Sequence, residues 1–175
     1  YCLSKCTYTI MGDVAQNISD RYGLNDWTEL RKLMLPGEFD YFGILQKSYR
    51  NTVEISGFAT DILYHGSFPV YPVEPIIRHG ESVTVKTCVD FTDQVTQAEQ
   101  TIKQWQCVEL NTGDAGKWEI GEGVMVLPLK YTKGLEFDAV LIFNASEEDY
   151  PVEDGYVKQL YVAATRALHE LTVLY

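Results

Sequence analysis

Four short polar clusters in this sequence combine residue types that can act on a phosphate. Gln16 follows TYTIMG and the pair Gly12-Asp13, and its amide can orient a water because it donates and accepts hydrogen bonds at once. Asp13 is expected to brace that loop rather than to bind metal. Tyr49-Arg50 stands after YFGIL and before an apolar-periodic segment. A ring at such a junction can stack on a planar base while the adjoining guanidinium reaches phosphates in a forked geometry. In KYTKGLEFDAV, Gly134 permits a backbone turn and Glu136 can accept bonds from hydroxyls, while Lys133 and Asp138 can equally be structural. The last cluster is VKQLYVAATRAL, where Leu160, Ala163, Ala164, Ala167 and Leu168 form an apolar stripe at helical spacing. Arg166 is expected to project away from that stripe, with Thr165 supporting the same turn.

A fifth segment is a decoy. Gly113 to Lys117 (GDAGK) has two residues between its glycines and Trp118 after the lysine, whereas a phosphate-binding loop needs four residues and then Ser or Thr.

The elements that must position these clusters alternate between strand and helix. TYTIMG, from Thr7 to Gly12, reads as a short buried strand. Asn25 precedes the helical segment DWTELRKLML, in which Trp27, Leu30 and Met34 share a face and Pro36-Gly37 stops the run. YFGIL reads as a second strand. Asn51 with Glu54 resembles a capping box opening a helix whose stripe is Ile55, Phe58, Ala59, Ile62 and Leu63. Pro69, Pro72 and Pro75 require an extended crossing. SVTVKTC alternates as a strand, and Asp93 to Leu110 carries Val95, Ala98, Ile102 and Trp105 in helical register. After the glycine-rich NTGDAGKWEIGEG come strand VMVLPL, strand AVLIF, an acidic loop, helix VKQLYVAATRAL and strand LTVLY. This order predicts an α/β fold with a parallel sheet flanked by helices. Three of the four clusters then fall at carboxyl ends of strands, where ligands gather in such sheets.

Composition bounds the reading. The 175 residues are 46% hydrophobic and 22% charged, which excludes a disordered chain. No run of eighteen apolar residues occurs and no signal-peptide plan opens the chain, so no membrane partner and a cytoplasmic location are expected. The first residue is Tyr, which suggests a piece of a longer protein. Cys2, Cys6, Cys88 and Cys107 lack zinc spacing and read as reduced thiols, while His65, His79 and His169 have no evident sequence partner. A net charge of −11 disfavours unaided nucleic-acid binding, which needs cations to displace phosphate counterions.

TIMGDVAQNI, LQKSYRN, LPLKYTKGLEFDAVLIF and LYVAATRALHELTVLY, in that order, resemble motifs III, IV, V and VI of superfamily 1 helicases of the UvrD/Rep/PcrA group. The resemblance spans nearly the whole chain and is weaker between Tyr71 and Gly123. It implies the second RecA-like motor domain of a P-loop NTPase-type, ATP-dependent DNA helicase moving 3′ to 5′. ATP and Mg2+ would be held mainly by an N-terminal RecA-like domain that carries the phosphate loop and the acidic motif. Residues 1–20 would be the tail of that first domain with motif III, 21–40 a connecting helix, and 41–175 the second domain. Carried over position by position, Gln16 would sit at the γ-phosphate, Tyr49 would stack on adenine and Glu136 would bind the ribose. Arg50 and Arg166 would act as arginine fingers. Gln16, Arg50 and Arg166 are thus the expected catalytic residues, and Tyr49, Arg50, Gly134, Glu136 and Arg166 the nucleotide contacts, with no metal ligand in this chain. The fragment alone is expected to be inactive.

The sequence departs from the family at Pro128 and Lys130, where Thr and His usually help to contact single-stranded DNA. Leu110 to Gly123 is also shorter than the strand and helix the family places before motif V. Pro128, Arg78-His79-Gly80 and TRALHEL resemble the HelD branch, which implies RNA polymerase as an alternative partner. A second expectation, of another class, is a degenerate motor domain that docks RNA polymerase or a repair complex.

Overall fold

The computed structural model describes residues 7–19, 23–35, 37–105, 110–111 and 123–175. The decoy at Gly113 to Lys117 lies outside them, as do Pro36, most of the segment between Leu110 and Gly123, and three of the four cysteines. Cys88 is a free thiol.

Along the chain a 3-10 turn at Val14–Gln16 precedes helix α1 (Thr28–Met34), strand β1 (Lys47–Ser48) and helix α2 (Val53–Leu63). Strands β2 (Glu74–Pro75) and β3 (Thr84–Lys86) lead to α3 (Phe91–Gln104), and β4 (Leu110–Asn111) and β5 (Val124–Met125) follow. A 3-10 turn at Leu129–Tyr131, strand β6 (Phe137–Ile142), helix α4 (Asp154–Ala164) and strand β7 (Ala167–Leu174) complete the chain. Every described strand pair is parallel: β1 with β2, β4 with β5, and a three-stranded sheet in the order β3-β7-β6.

The core forms where α2 and α4 close over β6 and β7. Ile55, Ala59, Ile62 and Leu63 of α2 meet Val157, Tyr161, Val162 and Ala164 of α4 above Ile142, Leu171 and Val173. Each of the Val, Leu and Ile side chains among them, removed from water, contributes roughly 1.5–3 kcal/mol. Strand alternation turns Thr172 and Leu174 to the opposite face, and they are buried as well. α3 also packs against β7. The strand is therefore covered on both faces, as its run of apolar residues predicts. The stripe expected on α2 is the observed one, with Phe58 packed at its margin.

Several local expectations shift. Thr7 to Gly12 form no strand, because backbone becomes a strand only where a neighbour accepts its ladder bonds, and Ile10 and Met11 lie exposed instead. YFGIL is likewise irregular, and the short β1 begins two residues later, where Glu74 and Pro75 pair with Lys47 and Ser48. No residue of α1 is buried, so Leu30 and Met34 do not build a core face. Helix α3 starts earlier than Asp93, because Asp90 accepts from Asp93 N–H at 2.8 Å while Asp93 in turn accepts from Val89 N–H at 3.0 Å. Its buried positions are Gln94 and Thr101, with Val95 exposed. VMVLPL yields only the two-residue β5. The helix read as Val157 to Leu168 ends at Ala164, and Ala167 and Leu168 belong to β7, because parallel pairing of Ala167 with Phe137 outweighs their helical spacing.

Candidate functional site

The turn at Val14–Gln16 is built by Asp13. Its carboxylate accepts from Ala15 N–H at 3.0 Å and from Gln16 Nε2 at 2.7 Å, so Asp13 braces the loop and holds the Gln16 amide by its donor. Val14 is buried, and the turn packs against α4. Asp13 and Gln16 therefore stand beside the helix that leads to Arg166.

Tyr49 and Arg50 occupy the step from β1 into α2. Tyr49 is exposed, and the Arg50 Nε lies 2.6 Å from Glu136 Oε1 in an ion pair whose side chains are 36% and 43% exposed. The cap of α2 differs from the expected box. Thr52 is the N-cap, accepting from Ile55 N–H at 3.4 Å. Glu54 instead accepts from Gly80 N–H at 2.9 Å and meets His79 Nδ1 at 2.8 Å, which gives that histidine the carboxylate that sequence distance concealed. Asn51, released from capping, is buried and donates from Nδ2 to the carbonyls of Thr165, at 3.2 Å, and Ala167, at 2.6 Å. Arg78 reinforces the same junction, its Nη2 donating to the carbonyls of Arg50 and Leu168.

Arg166 departs most from expectation. It lies one residue beyond the C-cap of α4 and is 2% exposed, one of the largest fully buried side chains, rather than projecting into solvent. Its Nε donates to Val162 O at 3.0 Å, Nη1 to Leu135 O at 3.2 Å and Nη2 to Thr165 Oγ1 at 3.2 Å. Burial, then the like charge of Arg50, push its pKa down, while Glu136 opposes the shift. The reason for its burial is topological: α4 ends against the core, and parallel pairing sets the starts of β6 and β7 side by side. Leu135 is thereby brought within reach of Arg166. Gly134 lies in the turn just before, at φ +83°, a left-handed conformation that favours glycine.

Asp13, Gln16, Tyr49, Arg50, Glu136 and Thr165 border one open cleft of about 510 Å³. Arg166 lies directly behind Thr165, and Gly134 stands outside the lining. Two placements differ from expectation. Arg166 stands in the turn between α4 and β7 rather than on the helix, and Glu136 immediately precedes β6. Arg50 follows β1, which belongs to a separate pair from the sheet of β7. Tyr161 also lines the cleft, its hydroxyl pKa pushed up to about 12, chiefly by burial. Sequence reading did not place Asn51 or Arg78 in the site: Asn51 was read as a helix cap at the end of LQKSYRN, and Arg78 only as part of the Arg78-His79-Gly80 run.

Lys133 and Asp138 are exposed. Pro128 caps the 3-10 turn, and Lys130 Nζ lies 4.8 Å over the Tyr131 ring. Among the described residues no group of three or more His, Cys, Asp and Glu side chains comes together to hold a metal, and no helix is long and apolar enough to cross a membrane.

Fold and cleft together define an α/β domain of parallel strands flanked by helices, with an open polar cleft at Arg50 and Glu136. Residues 124–174, which contain the turn at Gly134, Glu136, α4 and Arg166, match the family described as UvrD-like helicase C-terminal domain. The crystal structure of the C-terminal domain of a possible DNA helicase from Lactobacillus plantarum WCFS1 superposes with a TM-score of 0.57 at 25% sequence identity, covering 73% of this chain and 86% of that one. No curated protein matches the chain. The similarity to UvrD-like helicases read from the motifs is thus carried by both sequence and fold, whereas the HelD branch rests on the motifs alone.

Proposed function

We propose that this domain is the second motor domain of an ATP-dependent DNA helicase or translocase moving 3′ to 5′, working on a nucleotide held mainly by an N-terminal RecA-like domain. The observation that carries the reading is the single cleft in which Gln16, Arg50 and Glu136 meet with Arg166 behind them. It is open, and it offers an exposed ring at Tyr49 and a half-exposed guanidinium at Arg50. Those groups suit a nucleoside triphosphate: Tyr49 stacks on the base, Glu136 accepts from the ribose hydroxyls and Arg50 forks onto phosphate. The N-terminal domain would hold most of the contacts to Mg2+, which would supply charge neutralisation of the triphosphate.

Arg50 reaches the transferred phosphoryl group and Arg166, buried behind the cleft, adds its positive charge at longer range; an arginine finger contributes on the order of a thousandfold or more in nucleotide hydrolases. Gln16, its amide nitrogen held by Asp13, keeps its oxygen to accept a hydrogen bond from the attacking water. In this reading residues 1–20 belong to the first motor domain, 21–40 connect, and 41–175 form the second. Lys158, whose Nζ bonds Asn25 Oδ1 at 2.9 Å, fastens the connecting segment to α4.

The test is DNA-stimulated ATP hydrolysis by the full-length parent. Arg50→Ala and Arg166→Lys are expected to lower kcat far more than nucleotide affinity, because they act on charge that appears in the transition state. Turnover unaffected by both substitutions would refute the proposal. The net charge of −11 favours a second reading, in which the same motor acts on RNA polymerase as in the HelD branch. Stimulation of the ATPase by RNA polymerase rather than by single-stranded DNA would select it.

A further inference from the structure

We propose that Asn51 is a positioning residue that holds Arg50 and Arg166 at a fixed separation, so that the two guanidinium groups act as one unit. This inference rests on the reading of the cleft given above.

Asn51 is covalently next to Arg50, and its two acceptors, the carbonyls of Thr165 and Ala167, flank Arg166 on either side. The contact spans more than a hundred residues of sequence and is 5% exposed, so water does not compete for it. One Nδ2 carries two hydrogens, and each has its own carbonyl. A hydroxyl at this position supplies one hydrogen, and a carboxylate or methyl supplies none. Arg78 closes the same junction from the other side, tying Arg50 O to Leu168 O. Arg166 is then locked from its own end by Val162 O, Leu135 O and Thr165 Oγ1. The loop after β1 and the junction between α4 and β7 consequently move together. A shift of either arginine relative to the phosphates is a shift of both.

A simpler role would be to terminate α4, since Thr165 is its C-cap residue and helix ends leave carbonyls unpaired. That role alone would affect folding stability and leave the chemistry of the folded enzyme unchanged. The two roles separate in kcat, in the ratio of kcat to KM, and in coupling to Arg166.

The experiment measures steady-state ATP hydrolysis and thermal unfolding of the full-length parent carrying Asn51→Ala, and Asn51→Ser, which keeps one donor and fills more of the site. A misplacement near 1 Å in a catalytic array costs up to about a hundredfold, so folded Asn51→Ala is expected to lose roughly ten- to a hundredfold in kcat, with KM for ATP changed less than about threefold. Asn51→Ser should fall between it and the wild type, and it supplies the reading if the alanine variant does not fold. In an Arg166→Lys background, adding the Asn51 substitution should cost less than about a third of its logarithmic effect in the wild type. Unchanged kcat in a folded variant, or full additivity with Arg166→Lys, would overturn the clamp. If Arg50→Ala and Arg166→Lys depress turnover while the Asn51 variants do not, only this inference fails. If the two arginine variants are themselves silent, the reading of the cleft fails and the clamp with it.

Discussion

Arg50 and Glu136, 86 positions apart in sequence, form an ion pair at 2.6 Å across the mouth of the cleft. The arginine expected on a triphosphate and the glutamate expected on a ribose therefore hold each other, and a bound nucleotide would compete for both. Each side chain is more than a third exposed, so solvent screens the pair and it adds little to stability. Glu136→Gln should change unfolding free energy by less than about 1 kcal/mol in urea titrations. In the parent it should raise KM for ATP through the lost ribose contact. A loss of several kcal/mol on removing this carboxylate would show that the pair is structural.

Arg166 should behave in the opposite way. Removing its side chain leaves the part-buried Leu135 carbonyl without this donor, leaves Val162 O with only the Thr165 hydroxyl, and empties the space that the buried guanidinium fills. Arg166→Ala is expected to destabilise the domain by about 2–3 kcal/mol, whereas Arg166→Lys keeps the charge and one donor and should cost less. Equal stability of wild type and Arg166→Ala by calorimetry would contradict the observed bonding.

The clip joining Glu54 to His79 and Gly80 makes stability depend on acid pH. Bonds from His79 and from Gly80 N–H hold the Glu54 carboxyl near a pKa of about 2, below its ordinary 4.5. A depressed carboxylate pKa contributes stability that is complete above the ordinary value and is lost as pH falls toward the folded value. Urea midpoints of the wild type should therefore drop between about pH 4.5 and pH 2, and Glu54→Gln should flatten that part of the profile. An unchanged slope in the variant would mean that other carboxylates dominate the window.

Lys158 is a buried cation with one hydrogen-bond acceptor among the described residues, Asn25 Oδ1, and the Phe68 ring 4.5 Å from its Nζ. Burial pushes its pKa down. Lys158→Met retains the stem packing without the charge, while Lys158→Ala removes both. The alanine variant should be less stable than the methionine variant by roughly 1–2 kcal/mol, read by chemical denaturation. The reverse order would assign the site's stability to the charge.

Gly134→Ala isolates backbone strain. At φ +83° the left-handed conformation penalises a Cβ, yet among the described residues no atom beyond the adjoining residues lies within 4 Å of where that Cβ would sit. The expected loss is about 1–2 kcal/mol, all of it conformational. Gly134→Asn, which tolerates this region better, should recover part of it in the same unfolding assay. Alanine with no cost would argue that the turn relaxes.

Much of the fold was legible locally. Helix α2 was visible from Ile55, Phe58, Ala59, Ile62 and Leu63 because one helical period placed them on a single face, and β6 from its β-branched run. Where the pattern was ambiguous, pairing decided. Ala167 and Leu168 fit a helix by spacing and a strand by register, and the parallel ladder with β6 drew them into β7. Thr7 to Gly12 and YFGIL had strand composition, yet composition cannot supply a neighbouring backbone. Asn51 and Glu54 stood at capping-box spacing, but their stronger partners lay at Thr165, Ala167, His79 and Gly80, which sequence distance hides.

The sequence by itself singled out residue types suited to phosphate chemistry: Gln16, Tyr49, Arg50 and Glu136, which the fold gathers at one cleft, and Arg166, by side-chain chemistry and motif order. It also determined the α/β class, since alternation of strand and helix is written in short-range periodicity. Only the tertiary structure decided that Arg166 is buried, that Arg50 faces Glu136, and that Asn51 joins the two arginine loops. The physical reason is range. Periodicity and composition act over a few residues, whereas burial and hydrogen-bond partnership depend on which distant segments the parallel sheet brings side by side.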